Sequence, residues 1–236
     1  MASLKNWDNK TWLSSKKYIY AFNSFILKQK KLKKHSRILD IGCGRGKIIS
    51  NIFERLKLVN KPIGLDIENH TDKSKKIVFK KIDGLSFISK TKITYDLILI
   101  KQTIHLLKIN QIIKLLSICK TKLNPKGKII ILSLDTKINE IPTFTLMNKK
   151  LKRSLNRDKK IIDLIIKIYP KMIIKKFIFN VKILKSEYLK MIKKRYISTL
   201  LNFSDKQIKD GLVEIDLKYK KDLKFRDRLI CLILKK

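Results

Sequence analysis

The chain has only two alanines, Ala2 and Ala21, and only eight arginines among its 57 basic residues, against 19 acidic ones. Lysine therefore carries the net charge of +38, spread along the whole length with abundant isoleucine and asparagine. A coding sequence rich in A and T yields that bias by codon composition alone. The competing reading is a nucleic-acid surface, since basic charge draws polyanions. Scarce arginine, the side chain suited to forked phosphate and base contacts, weighs against it. Either reading implies residual affinity for nucleic acid at low salt.

Cysteine is nearly as scarce. Cys43, Cys119 and Cys231 are odd in number, fall in expected core elements and lack metal-ligand spacing, which excludes a disulfide framework and implies no metal. A reducing cytoplasm is the expected location. Apolar runs are short and broken by lysine, so no membrane span is expected. Residues 1–7 lack the continuous apolar segment of a secretory signal. With 236 residues, 44% of them hydrophobic, one larger α/β domain with a real core is expected.

Glycine is rare too, yet three of the seven stand together in Arg37-Ile38-Leu39-Asp40-Ile41-Gly42-Cys43-Gly44-Arg45-Gly46-Lys47. An apolar strand stops in alternate glycines and a helix, 48–58, begins. Glycine there supplies positive φ and lets backbone amides approach a ligand closely. A second strand, 62–67, presents Asp66 20 positions after Gly46, where a carboxylate can accept both ribose hydroxyls. A third, 77–82, ends at Asp83-Gly84, and a fourth, 95–100, ends at Lys101-Gln102-Thr103. Four strands thus deliver side chains to one sheet edge.

These elements together resemble the class I S-adenosylmethionine-dependent methyltransferases. Residues 38–46 match the family's strand-one pattern, (V/I)LDxGCGxG, whereas dinucleotide dehydrogenases space their glycines as Gly-x-Gly-x-x-Gly. The likeness continues through Gly64-Leu65-Asp66, Asp83-Gly84, Tyr95 to Leu99, and the Leu-Asn-Pro-Lys-Gly of 123–127, which looks like a helix end, a Pro-Gly turn and strand five. About half the chain is covered. The implied fold is a doubly wound, seven-stranded, mostly parallel Rossmann-like sheet whose last strand, 229–234, inserts antiparallel between strands five and six.

Within a single domain, 1–36 would form an aromatic helical lid with Trp7, Trp12, Tyr18, Tyr20, Phe22 and Phe25, and 37–184 the α/β core. Residues 185–226 would form a helical cap insertion, and 227–236 the final strand. Helix 109–123 shows a broad apolar stripe at Ile109, Ile112, Ile113, Leu115, Leu116 and Cys119. A helix at 148–168 and a strand at 177–184 follow. The cap reads as helices 186–201 and 204–218, the second opened by a Ser204/Gln207 capping box. Its wording resembles the small-molecule, type 11-like branch.

The resemblance implies residue roles. Gly42, Gly44 and Gly46 would admit the cofactor's methionine part, and Asp40 would support its amino group. Asp66 would hold the ribose, Ile67 would lie on the adenine, and Asp83, with Gly84, would meet the adenine amino group. Lys101 would offer its backbone carbonyl near the sulfonium. His105, beyond strand four, is either a base that titrates near neutrality or a structural hydrogen-bonder. His35 and His70 look non-catalytic. Trp12, Gln102, Arg195, Tyr196 and Ser198 are candidate substrate contacts.

Methyl transfer from a sulfonium relies on alignment and desolvation. No Asn/Asp-Pro-Pro-Tyr follows strand four, which argues against exocyclic-amine chemistry. Cys119 lies inside a helix, which leaves a cytosine-C5 route unsupported. Lys101 replaces the aspartate of metal-dependent catechol-type enzymes. The expected function is methylation of a small metabolite, possibly anionic. The alternatives are an RNA methyltransferase, argued from charge, and a silent nucleotide-binding scaffold. The oligomeric state is not legible.

Overall fold

Runs of isoleucine and leucine bounded by glycine, proline or charge form strands. In the computed structural model, which describes residues 11–236, seven of them join one sheet in the order β3-β2-β1-β4-β5-β7-β6. β1 (Ile38–Ile41), β2 (Ile63–Asp66), β3 (Val78–Lys81), β4 (Tyr95–Lys101) and β5 (Leu123–Leu134) pair in parallel. β7 (Asp222–Lys235) runs antiparallel between β5 and β6 (Ile173–Leu184). The Rossmann-like methyltransferase arrangement expected from the motifs is the one observed.

Helices cover both faces. α1 (Lys16–Gln29) and α2 (Lys47–Leu56) pack on Leu97 and Leu99 of β4 and on Ile130 and Leu132 of β5. α3 (Gly84–Lys90), α4 (Ile109–Thr121) and the second half of α5 (Thr145–Ile168) cover the alternate residues Ile98, Ile100, Ile129 and Ile131. Such strands are apolar on both sides because both sides are buried. Each fully buried Ile or Leu contributes about 1.5–3 kcal/mol relative to exposure. α6 (Lys185–Lys193) and α7 (Asp205–Lys218) pack together beside the outer part of β6 and β7. A Cβ on Gly211 would meet the Phe144 ring at 2.7 Å, so this glycine lets α7 seat against it.

Several boundaries differ from expectation. Ile109 and Ile113 are 52% and 38% exposed, so the buried stripe of α4 is narrower, at Ile112, Leu115, Leu116 and Cys119. The Pro-Gly segment before strand five is part of the strand, which bulges between Leu123 and Lys128, opposite Tyr95 and Leu97 of β4, with Lys126 at φ 62°. At Gly127 a Cβ would meet the Asn124 carbonyl oxygen at 2.8 Å and that of Tyr95 at 2.9 Å, so backbones approach too closely for a side chain. The long helix expected over 186–201 stops at Lys193. Arg195 turns left-handed at φ 52° and a 3-10 turn, Ser198–Leu200, follows. The last strand starts at Asp222, not 227, because its outer half pairs fully with β6.

The Ser204/Gln207 capping box is formed, with Gln207 N–H to Ser204 Oγ at 3.2 Å and Ser204 N–H to Gln207 Oε1 at 2.9 Å. The N-terminal segment does more than cover a pocket. Tyr18 and Phe22 pack edge-on against Phe177 of β6, making α1 a sheet-covering helix. Trp7 and the rest of residues 1–10 lie outside the described residues.

Candidate active site

β1 and β4 are neighbours although α2, β2, β3 and α3 separate them in the chain, and this reversal opens a crevice at the carboxyl ends of the strands. The glycine loop occupies it. Gly42, Gly44 and Gly46 all have positive φ, at 76°, 53° and 68°. The amides of Gly42 and Cys43 donate to the Leu65 carbonyl at 2.8 and 2.9 Å, which ties the loop to β2. A Cβ on Gly42 would stand 2.0 Å from Thr103 Oγ1, whereas one on Gly44 would meet nothing within 4 Å. The first glycine is required by packing. The second leaves backbone open to a ligand.

Asp66 Oδ2 accepts the Gly44 amide at 2.8 Å and Oδ1 accepts the Glu68 amide at 3.0 Å. This carboxylate braces the loop and retains lone pairs toward the cavity. Asp40, only 3% exposed, has an Oδ1 with no hydrogen-bond partner. Burial pushes its carboxyl from 3.8 up to about 7, Lys101 opposes the rise and Asp66 adds to it. Asp83 caps α3, its Oδ1 accepting the Ser86 amide at 2.9 Å. Gly84, where a Cβ would meet Ile41 at 2.4 Å, packs against β1.

A cavity of about 260 Å³ gathers Asp40, the glycine loop, Asp66, Ile67, Asp83, Gly84 and Lys101. Eight of the nine residues expected to hold a cofactor thus meet in one crevice; the ninth, Gly46, lies outside its lining as the left-handed N-cap of α2, where a Cβ would meet Ile77 at 2.1 Å. His70, Glu68 and Leu13 join the wall unannounced by any motif. His70 is buried and its Nδ1 has no partner. Burial, followed by the charges of Asp40 and Asp66, pushes the Cys43 thiol far up, so it remains neutral. Lys101 contributes more than a carbonyl, for its ammonium lies 5.6 Å from the centroids of Tyr18 and Phe22 and its charge acts on both Asp40 and Asp227.

A second, smaller cavity of about 70 Å³ shares Leu13 and Gln102 with the first. Trp12, His105 and Ser198 line it, together with Arg157, Asp158, Thr199 and Asp227. Gln102 stands at the junction in a left-handed conformation, φ 51°. Burial holds the His105 imidazole below its usual range, Asp158 pulls it upward and Arg157 adds to the lowering. Arg157 Nη2 donates to the His105 carbonyl at 2.8 Å and fixes the loop after β4 to α5.

Two candidate substrate contacts lie elsewhere. Arg195 donates to the Phe203 carbonyl at 3.0 Å and to Asp205 at 2.7 Å, because the break in the cap turns it toward α7. Tyr196 is buried against Trp12 and its hydroxyl pairs with that of Tyr188 at 2.9 Å. Asp227, 1% exposed, and Asp158 were missed. Their one sequence signal is a charged residue inside an otherwise apolar stretch. Among the described residues no group of three His, Cys, Asp or Glu gathers as a metal site, and no helix is long and apolar enough to cross a membrane.

A family model described as a methyltransferase domain matches residues 15–160. The chain belongs to this methyltransferase family. The match runs from α1 into α5 and includes the glycine loop, Asp66, Asp83 and Lys101 of the larger cavity, whereas Ser198, Thr199 and Asp227 of the smaller one lie beyond it. Against curated proteins no sequence match was found. Among solved structures, the plantazolicin methyltransferase BpumL with a pentazolic desmethylPZN analog and SAH is similar at a TM-score of 0.54 and 19% identity, covering 98% of this chain and 88% of that one. BamL, with a triazolic analog and SAH, gives 0.54, 17%, 98% and 88%. A putative methyltransferase from an antibiotic biosynthesis pathway of Anabaena variabilis ATCC 29413 gives 0.64, 14%, 90% and 96%. At such identities the likeness is one of fold. This methyltransferase therefore shares a whole-chain architecture with them.

Proposed function

We propose that this methyltransferase uses S-adenosylmethionine to methylate a small-molecule acceptor held in the cavity beside His105, within a single domain. The unpartnered, buried Asp40 Oδ1 carries the reading, because a buried carboxylate oxygen without a donor matches an ammonium group supplied by a ligand. The open backbone at Gly44 and the remaining lone pairs of Asp66 suit the amino-acid and ribose parts. The SAH found with BpumL and BamL and the natural-product setting of the neighbours support the same assignment.

When bound, the cofactor supplies an activated sulfonium methyl group. The chain's residues do the rest. Gln102 and Leu13, shared by both cavities, bring the acceptor to the methyl carbon. Trp12 and the buried aromatic cluster around it exclude water. His105, kept neutral by burial, would accept the proton that the acceptor group gives up. Three free cysteines suit a reducing cytoplasm.

Calorimetric titration of S-adenosylhomocysteine into the protein tests the reading. One-site binding is expected, weakened by about tenfold to a hundredfold in Asp66→Ala through loss of charge-assisted hydrogen bonds. No saturable binding to the wild type would overturn it.

A further inference from the structure

A basic groove on α5 adjoins the smaller cavity. Leu146, Lys149, Lys150, Arg153 and Arg157 recur at helical spacing along one face, and Phe203 from the cap closes the other side. The opposite face of the helix, from Met147 through Leu151 to Leu155, is buried. Ser154 and Arg157 belong to both the groove and the cavity that contains His105, so the two are continuous. Among the described residues no carboxylate lines the groove. No carboxylate of the described residues forms an ion pair with Lys149, Lys150 or Arg153, and Arg157 meets one carboxylate, Asp158 at 3.3 Å on the buried side, besides the His105 carbonyl at 2.8 Å. Lys150 Nζ stands 4.9 Å from the Phe203 ring centroid, which places charge directly beside apolar surface.

We infer that the groove holds the anionic end of an acceptor whose apolar stem leads to the reacting atom beside His105. The inference rests on the proposed function and deepens it: the substrate class is a small amphiphile ending in phosphate or carboxylate. The general lysine surplus does not account for this placement, because two arginines, a phenylalanine and a leucine share the groove and it opens into the acceptor cavity. Arg153 and Arg157 offer the forked donors that a phosphate or carboxylate accepts. Leu146 and Phe203 give the stem its contact surface.

The test titrates octyl phosphate, octanoate and octyl ammonium into the S-adenosylhomocysteine-loaded protein at ~0.15 M salt, where diffuse surface attraction is screened. One-site binding of an octyl anion, and none of the ammonium, is expected; the stronger anion identifies the headgroup. Lys149→Ala/Arg153→Ala should weaken anion binding by about tenfold or more, while Lys152→Ala/Lys160→Ala, equal in charge but outside the groove, should leave it unchanged. Equal losses in both variants, or no loss in either, would overturn the inference. So would poly(U) binding that is lost selectively in the groove variant while the octyl anions are unaffected, which would make the groove an RNA surface. S-adenosylhomocysteine affinity, measured in each variant, should not change. Its absence in the wild type would defeat the functional reading itself and is thereby told apart.

Discussion

The indole N–H of Trp12 donates to Asp227 Oδ2 at 3.2 Å, both residues buried, joining chain positions 215 residues apart. Burial raises the Asp227 carboxyl above its usual range, while Lys101 and the Trp12 hydrogen bond oppose the rise. The bond fastens the segment before α1 to the last strand and closes one wall of the smaller cavity. Trp12→Phe should lower stability by about 1–3 kcal/mol in urea unfolding, since the acceptor stays buried without its donor. Adding Asp227→Leu should recover part of that loss. Strictly additive losses would show that the two side chains do not interact.

Asp40 has a pH signature. Its pKa rises from 3.8 to about 7 on folding, so between those values the folded protein binds more protons than the unfolded chain. Its contribution to ligand-free stability is therefore fully present at low pH and lost as pH climbs to about 7 and above. Asp40→Asn should stabilise the ligand-free protein at pH 8 by up to a few kcal/mol, at ~1.4 kcal/mol per unit, and weaken S-adenosylhomocysteine binding. Thermal melts across pH, with and without ligand, check both signs.

Two glycines of the loop should respond oppositely to the same methyl group. Gly42→Ala drives a Cβ into Thr103 at positive φ and should destabilise the fold by about 2–4 kcal/mol. Gly44→Ala meets no atom within 4 Å, so its stability cost should be about 1 kcal/mol, with the main loss in ligand affinity. Melting temperatures paired with calorimetry separate the two.

His105 should reveal itself in the pH profile once an acceptor is identified. Because burial lowers its pKa, kcat should rise with pH through a midpoint below the usual imidazole value of 6.5. His105→Gln should remove that limb and reduce kcat by about 10²–10⁴-fold, with cofactor affinity retained. An unchanged profile would leave His105 a structural residue.

The proposed cofactor crevice was legible because it is local: the residues expected to line it stand at or near the end of a strand whose apolar run announces them, as Asp40, Asp66, Asp83 and Lys101 do. The acceptor side was not. Asp227 and Asp158 reach the cavity through β7 and α5, contacts that no local pattern encodes. Arg195 stood among the expected substrate contacts because its segment resembles a small-molecule cap and reads as one helix over 186–201. The left-handed break falls on an arginine with no glycine or proline to mark it. Ile109 and Ile113 fit the apolar period and are exposed all the same, since the period says which face is apolar and not how much of it the sheet covers.

The placement of β7 also sets an order of assembly. It is made of residues 222–235, yet it lies inside the sheet and pairs with β5 on one side and β6 on the other. During vectorial synthesis both of those strands emerge from the ribosome before the strand that joins them, so β6, ending at 184, and β5, ending at 134, each hold an open hydrogen-bonding edge until residues 222–235 are made. Asp227 arrives with β7, so the smaller cavity that it lines matures last. Nascent chains stalled before residue 222 should be the aggregation-prone species, held in solution by the lysines that flank their unpaired edges.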